Sequence, residues 1–149
     1  MPLFFNSMKL NYTSSITRYA GEYPSLSAFL MSMNPKESDS ESFLAKAEGV
    51  FTGSKEAFSL VYEEQDGTKA SLTYEHGTLV FTRGATKASF VLSKCTSFSY
   101  VSELGSMSVS AYTERLDVKE KGEKLLLSLT YYMHASDLIQ KNVMKWKLF

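Results

Sequence analysis

Two residues of opposite charge, Glu64 and Arg83, occupy positions from which their side chains could pair with each other or bind a ligand. Glu64 continues an alternating apolar row that passes through Tyr62, and Arg83 continues a second row that passes through Phe81. Because side chains on a strand point to alternate faces, both charges are expected on the buried face of a sheet. A buried charge must be paired, so Glu64 is the natural partner of Arg83.

Arg83 allows two interpretations. Its planar guanidinium has five N–H donors that suit a carboxylate or a phosphate, which would make Arg83 the anchor for an anionic ligand group. Arg83 also stands at a strand end, where an arginine commonly pairs with a carboxylate or extends into solvent in a purely structural role.

Three tyrosines, Tyr62, Tyr74 and Tyr131, also fall on inward-facing rows. Hydroxyl groups set in an apolar wall are typical of binding pockets, whereas small barrels are often packed solid by such side chains. A hollow interior would make Arg83, Tyr62, Glu64 and Tyr131 the ligand-binding residues. A filled interior would make the tyrosines part of the core.

Residue patterns of catalytic and metal sites are not found. His76 and His134 are far apart in the chain, and no nucleophile pattern surrounds Cys95, which we expect to be a small buried hydrophobe. Glu63 and Glu64 are adjacent and face opposite sides of a strand, so they cannot form one acid–base pair. The sequence therefore predicts a protein that is not an enzyme and has no metal or cofactor.

The candidate site residues lie on short segments in which apolar and polar residues alternate, and turns separate these segments. The clearest runs from Lys124 to His134, and Asp66-Gly67 and His76-Gly77 supply the positive φ angles of tight hairpins. Such strands pair as antiparallel neighbours, and closure removes their exposed edges. We predict an all-β fold, a single antiparallel lipocalin-like or calycin-like barrel of about 8–10 strands. The ten candidate strands are Leu10–Ile16, Phe43–Phe51, Ala57–Glu64, Lys69–Tyr74, Thr78–Thr82, Ala88–Leu92, Phe98–Ser102, Met107–Thr113, Lys124–His134 and Asn142–Phe149.

One irregular insertion, Tyr19–Glu41, interrupts the pattern near the N-terminus. Its first half predicts a short helix with Ser25 as N-cap, and its second half, Asn34–Glu41, predicts a solvated loop. Its apolar residues would form an interaction surface if they were exposed together. These residues are Leu26, Phe29, Leu30, Met31 and Met33.

Composition favours one folded domain spanning residues 1–149. Apolar residues make up 44% of the chain, and 16 basic residues balance 16 acidic ones. The balance gives no field that would attract nucleic acid or a membrane surface. A single cysteine excludes an internal disulfide, which favours a cytosolic, cytoplasmic setting. Met8 could be the natural start, with residues 1–7 forming an extension that packs little.

The strand rows resemble a known family. Phe58-x-Leu60-x-Tyr62-Glu63-Glu64, Gly77-x-Leu79-x-Phe81-x-Arg83-Gly84, Leu125-x-Leu127-x-Leu129-x-Tyr131-x-Met133 and Asn142-x-Met144 are similar in order and spacing to the YwiB-like calycin-like β-barrel family of bacterial proteins. The resemblance covers residues 42–149 and implies a barrel. It implies no activity and carries over no catalytic residue, because the family is a domain of unknown function.

These observations favour non-catalytic binding of a small amphipathic ligand in the barrel mouth. The alternative is a protein-interaction or structural module with a filled barrel, which would act through residues 19–41 or a strand face. We expect a monomer or a homodimer that binds neither nucleic acid nor membrane.

Overall fold

The computed structural model describes residues 5–33 and 35–149, and these residues form ten strands and one short helix. The strands are β1 (Phe5–Tyr19), β2 (Glu37–Gly53), β3 (Ala57–Glu63), β4 (Lys69–Glu75), β5 (Thr78–Arg83), β6 (Thr86–Val91), β7 (Cys95–Ser102), β8 (Gly105–Lys121), β9 (Lys124–Ala135) and β10 (Leu138–Leu148), and the helix is α1 (Leu26–Leu30). Among the described residues, no helix has the length and apolar character needed to cross a bilayer.

All ten strands belong to one antiparallel sheet with the order β6-β5-β4-β3-β2-β1-β10-β9-β8-β7. Strands that are neighbours in the chain pair with each other, except that β6 and β7 form no ladder among the described residues, and β1 pairs with β10 as well as with β2. The pairing of the first and last strands curls the sheet into a nearly closed barrel. The predicted all-β antiparallel barrel is therefore confirmed.

Threonine side chains hold the remaining seam between β6 and β7. The hydroxyl of Thr96 donates to the carbonyl oxygen of Ser89 at 2.7 Å, and the amide of Val101 donates to Thr86 Oγ1 at 2.9 Å. Within the described part of the chain, no backbone ladder joins these two strands. The barrel is therefore fastened here by side chains instead of by a regular ladder.

The two halves of the barrel differ in their filling. One half is packed by inward side chains that are completely buried, and Trp146 lies at the upper limit of this core. The fully buried leucines are Leu10, Leu60, Leu72, Leu79, Leu127, Leu129 and Leu148.

The first strand begins earlier than predicted. The prediction starts it at Leu10, whereas β1 begins at Phe5, which pairs with Thr52 of β2. Residues 1–4 of the predicted extension lie outside the described residues. Residues 5–7 join the sheet because extension of β2 supplies their backbone groups with ladder partners.

The predicted loop Asn34–Glu41 is also largely wrong, because β2 begins at Glu37. Backbone pairing with β1 stabilises this polar run, and Arg18 on β1 bonds Asp39 at 3.2 Å and Glu41 at 3.1 Å. Asn34 itself lies outside the described residues. The alternation of apolar and polar residues did not predict this strand segment, because both of its faces are solvated and it has no apolar row.

Helix α1 forms as predicted, and Ser25 caps it by accepting a hydrogen bond from the amide of Ala28 at 3.1 Å. Leu26 and Phe29 pack with Ile139 in a second apolar cluster. Ile139 alternates with residues that face the interior, so α1 covers the outer wall of the barrel. The helix consequently leaves the barrel mouth open.

The last strand presents Lys145 and Lys147 outward and buries Trp146 and Leu148, as the alternation predicts. These lysines do not lie on an edge strand, because β10 is paired with both β1 and β9. Pairing of the two chain ends removes that edge from solvent.

Candidate functional site

Trp146, Tyr62 and Phe81 form a floor across the barrel. The indole Nε1 of Trp146 on β10 donates a hydrogen bond to the hydroxyl of Tyr62 on β3 at 3.1 Å. The ring centroid of Phe81 on β5 lies 5.6 Å from that of Trp146. Three strands from different parts of the circumference therefore meet in this layer, which separates the packed half from the space above it.

Above the floor lies a cavity of 410 Å³ that opens to solvent at one end. This volume falls within the range of about 300–1,000 Å³ that is usual for small-molecule sites. Most of its wall is apolar, with aromatic and thioether side chains from several strands. The apolar side chains include Phe43, Phe81, Phe90, Phe98, Met133 and Met144.

Glu64 and Arg83 line one wall as an ion pair. Arg83 Nε donates to Glu64 Oε1 at 2.8 Å, and Arg83 Nη2 donates to Glu64 Oε2 at 2.8 Å. The Glu64 side chain is only 11% exposed, whereas that of Arg83 is 47% exposed. The hydrogen bonds to Glu64 raise the pKa of Arg83, although desolvation opposes this. The predicted partnership is therefore present, and Glu64 occupies two of the three guanidinium nitrogens.

A second polar group lies on the opposite side, since β10 is five strands from β5 in the sheet order. Gln140 Nε2 donates to Asn142 Oδ1 at 2.8 Å, and both side chains line the cavity together with Ser14. Burial raises the pKa of the neighbouring Tyr131 to about 12, although a hydrogen bond with Asn142 lowers it. This wall therefore offers only uncharged donors and acceptors at neutral pH.

The rim of the mouth carries exposed apolar side chains. Phe43 is 52% exposed and packs edge-on against Tyr12, with ring centroids 6.1 Å apart. Tyr100 and Val101 on β7 are also exposed and line the same cavity. An apolar rim around an apolar cavity suits the entry of a molecule with a hydrocarbon part.

The structure brings together all four predicted site residues, because Arg83, Tyr62, Glu64 and Tyr131 all line the 410 Å³ cavity. Tyr74 instead stacks on Phe58, with ring centroids 5.5 Å apart, and belongs to the core. Both interpretations of the inward tyrosines therefore apply, each to a different half of the barrel.

Sequence reasoning missed the amide pair and the rim residue Phe43. Gln140 and Asn142 share the parity of Trp146, so extending that alternation backwards would have placed both of them inward. Phe43 has the parity of Phe51 in the same way. Strand alternation therefore indicates the inward direction of these side chains. Gln140 was missed because the predicted last strand begins only at Asn142.

The histidines and the cysteine lie apart from the cavity. His76 is exposed in a turn, and His134 donates from Nε2 to the carbonyl oxygen of Tyr23 at 2.7 Å, fastening the segment before α1. Cys95 is exposed, so the expectation of a buried thiol is wrong. Its position at the start of β7, at the seam, places its side chain outside the packed core. In residues 5–33 and 35–149 no three metal-ligating side chains gather.

A smaller cavity of 290 Å³ lies at the other end of the barrel. Met8, Phe51 and Leu125 form its apolar part, and residues of two hairpins, including the charged Lys55 and Glu120, form the rest. It lacks the continuous apolar wall of the 410 Å³ cavity, which is the better candidate for a binding site.

Comparisons with known proteins agree with this architecture. A family model described as a domain of unknown function (DUF1934) matches residues 31–145. A comparison with curated proteins finds no match. The fold is similar to the crystal structure of the ywiB protein from Bacillus subtilis, with a TM-score of 0.63 and 14% identity over 95% of this chain and 93% of that chain. At this identity the likeness shows the fold alone, and it confirms the resemblance to YwiB-like barrels. The chain belongs to the DUF1934 family, a domain of unknown function.

Proposed function

We propose that this protein is a non-catalytic, cytosolic binder of a small amphipathic molecule, which it holds in the 410 Å³ cavity. The single observation that carries the proposal is the division of the barrel by Trp146. Below this floor the interior is packed, whereas above it an apolar-walled space opens to solvent through an apolar rim.

The contents of the cavity argue against catalysis. A general base must direct a lone pair at the substrate, whereas Glu64 directs both of its oxygens to Arg83, which holds the carboxylate in an ion pair. The tyrosines Tyr62 and Tyr131 have raised pKa values because of burial, so they are poor proton acceptors at neutral pH. The arrangement is suited to orienting a ligand by hydrogen bonds within an apolar space.

Binding is tested with N-phenyl-1-naphthylamine, an uncharged probe whose fluorescence rises in apolar surroundings. We expect saturable binding of one probe per chain. Ala88 is 5% exposed and lines the cavity, so Ala88→Phe should fill part of the space and weaken binding by about tenfold or more. The adjacent Lys87 is exposed on the same strand, so Lys87→Phe is the matched control and should bind as the wild type does.

Thermal unfolding of both variants ensures that the comparison is made between folded proteins. The proposal is wrong if the probe shows no saturable binding to the folded wild type, or if Ala88→Phe binds it as tightly as Lys87→Phe. If the probe binds as expected, native mass spectrometry of protein isolated gently from its own host would identify a natural ligand by its added mass.

The alternative, a protein-interaction module, has narrower support. Leu26 and Phe29 are buried against the barrel, so only Leu30, Met31 and Met33 remain exposed from the apolar set of this region. The filled barrel that this alternative requires is found only below Trp146. The cavity therefore favours the binding hypothesis.

A further inference from the structure

We infer that the cavity selects amphipathic molecules whose polar end carries no net charge, an inference that rests on the proposed function. The observation behind it is the ion pair of Glu64 and Arg83, which supplies one negative and one positive charge to the same wall. A ligand of this kind is a long-chain alcohol or amide, as opposed to a fatty acid or an alkylamine.

The charges that face the cavity cancel. Glu64 and Arg83 are the residues of its lining that are ionised at neutral pH, because the other titratable side chains there are tyrosines. Burial is the main cause of the raised pKa of Tyr12, Tyr62 and Tyr131, which keeps these phenols neutral. A ligand with one net charge would therefore bring an uncompensated charge into an apolar space, which is costly.

The ion pair also resists recruitment by a charged ligand. Glu64 engages Nε and Nη2 of the guanidinium, which leaves Nη1 as the nitrogen not bonded to it. A carboxylate at Nη1 would approach Glu64, and an ammonium group at Glu64 would approach Arg83. In either case the like charge offsets much of the attraction, because both members of the pair lie within a few ångströms of the ligand.

The charged group of Arg18, Asp39 and Glu41 beside the mouth does not compensate an anion. Arg18, which pairs in register with Gln140, is already bonded to both Asp39 and Glu41. This group of three has a net negative charge. A free carboxylate entering past it meets no spare cation among these residues.

Uncharged polar groups, in contrast, find partners. Gln140 and Asn142 present amide donors and acceptors, and Ser14 adds a hydroxyl on the adjacent strand. A hydroxyl or an amide can exchange hydrogen bonds with these groups without leaving an unpaired charge. The polar wall on β1 and β10 is thus matched to a neutral head group.

The inference is tested by displacing the naphthylamine probe with decanol, decanoate and decylamine at pH 7, each below its micelle concentration. The three share one alkyl chain and differ in head-group charge. We expect decanol to displace the probe at a concentration about tenfold or more below that needed for either charged compound. Decanoate or decylamine binding as tightly as decanol overturns the inference but leaves binding in the cavity established. Failure of all three to displace the probe overturns the inference, whereas failure of the probe itself to bind overturns the proposed function as well.

Charge variants make the test specific to the ion pair. Glu64→Gln leaves Arg83 unpaired and should shift the preference towards decanoate by about tenfold, whereas Arg83→Gln should shift it towards decylamine. The double variant carries no charge in the cavity, so it should restore the preference for decanol and serve as a folded control. The inference is contradicted if folded Glu64→Gln keeps the wild-type order of preference among the three compounds. If neither single variant folds, a double variant that prefers decanoate to decanol contradicts the inference as well.

Discussion

Trp146 and Tyr62 join separate parts of the barrel wall through one buried hydrogen bond of 3.1 Å between the indole Nε1 and the phenol oxygen. Their strands, β10 and β3, are three positions apart in the sheet, and both side chains are at most 3% exposed. Burial raises the pKa of Tyr62, so the acceptor is a neutral hydroxyl group. Tyr62 lines the cavity and Trp146 belongs to the packed core, so this bond lies where the core meets the cavity.

Replacing Trp146 by Phe should lower the free energy of unfolding by about 2–4 kcal/mol, because it removes buried volume and the hydrogen-bond donor. Urea unfolding followed by far-UV circular dichroism measures the change. Tyr62→Phe is the companion variant and should cost about 1–3 kcal/mol, because the indole N–H then lacks its partner. An unchanged stability in both variants would show that the floor is not a structural constraint.

Thr113 on β8 is predicted to be a site where a substitution stabilises the protein. The side chain is completely buried, and among the described residues its Oγ1 has no hydrogen-bond partner. Thr113→Val should raise the free energy of unfolding by about 1 kcal/mol, because it removes an unsatisfied polar atom from the core. The exposed Thr73 on β4 provides the control, and Thr73→Val should change stability by no more than about 0.5 kcal/mol. A loss of stability in Thr113→Val would indicate that the hydroxyl is satisfied.

The seam should be the part of the barrel that opens most readily. Thr96→Val removes the bond to Ser89 and should lower stability by about 1 kcal/mol. Amide hydrogen exchange of β6 and β7 should accelerate in this variant. Thr82→Val on β5, which lies between two regular ladders, is the matched control. If exchange accelerates equally in all strands, the seam has no special role.

Phe29 should fasten the segment between β1 and β2 to the barrel. Its ring lies among Tyr19, Tyr23 and Tyr132, with centroid distances of 4.8, 5.1 and 5.5 Å. Phe29→Ala should cost about 3 kcal/mol or release this segment alone, which limited proteolysis would detect. Leu30 follows Phe29 in the helix but is 42% exposed, so Leu30→Ala should leave cleavage unchanged. Equal cleavage of both variants would contradict the role of Phe29.

Tyr131 should make the protein sensitive to alkaline pH. Burial raises its pKa from an ordinary value of 10.0 to about 12. The unfolded chain therefore loses this proton at a lower pH than the folded chain. The contribution to stability is complete below pH 10 and is lost as the pH rises towards 12, by about 3 kcal/mol at most.

Tyr131→Phe should reduce the pH dependence of stability in this interval without abolishing it, because burial also raises the pKa of Tyr62 and of Tyr132. Urea unfolding at a series of pH values measures the change. The exposed Tyr100 is the control, since Tyr100→Phe should leave the pH dependence in place. A curve for Tyr131→Phe that matches the wild type would mean that Tyr131 ionises normally.

Local sequence was enough to define the strands and the direction of their side chains. The hairpin at His76-Gly77 illustrates this, because its φ angles of 48° and 76° are those that a two-residue turn requires. Alternation along β5 directed Arg83 inward, and alternation along β3 did the same for Glu64. Their ion pair follows from side-chain parity once the two strands lie in one antiparallel sheet.

Only the tertiary structure decided whether the interior is packed or hollow. That outcome depends on which inward side chains meet across the barrel, and Trp146 meets Tyr62 from 84 residues away in the chain. The strand character of Glu37–Glu41 likewise comes from backbone pairing with β1, since its own residues have no apolar face. Periodicity reports the face on which a side chain lies, whereas closure of the sheet sets the distance between opposite walls and therefore the size of the cavity.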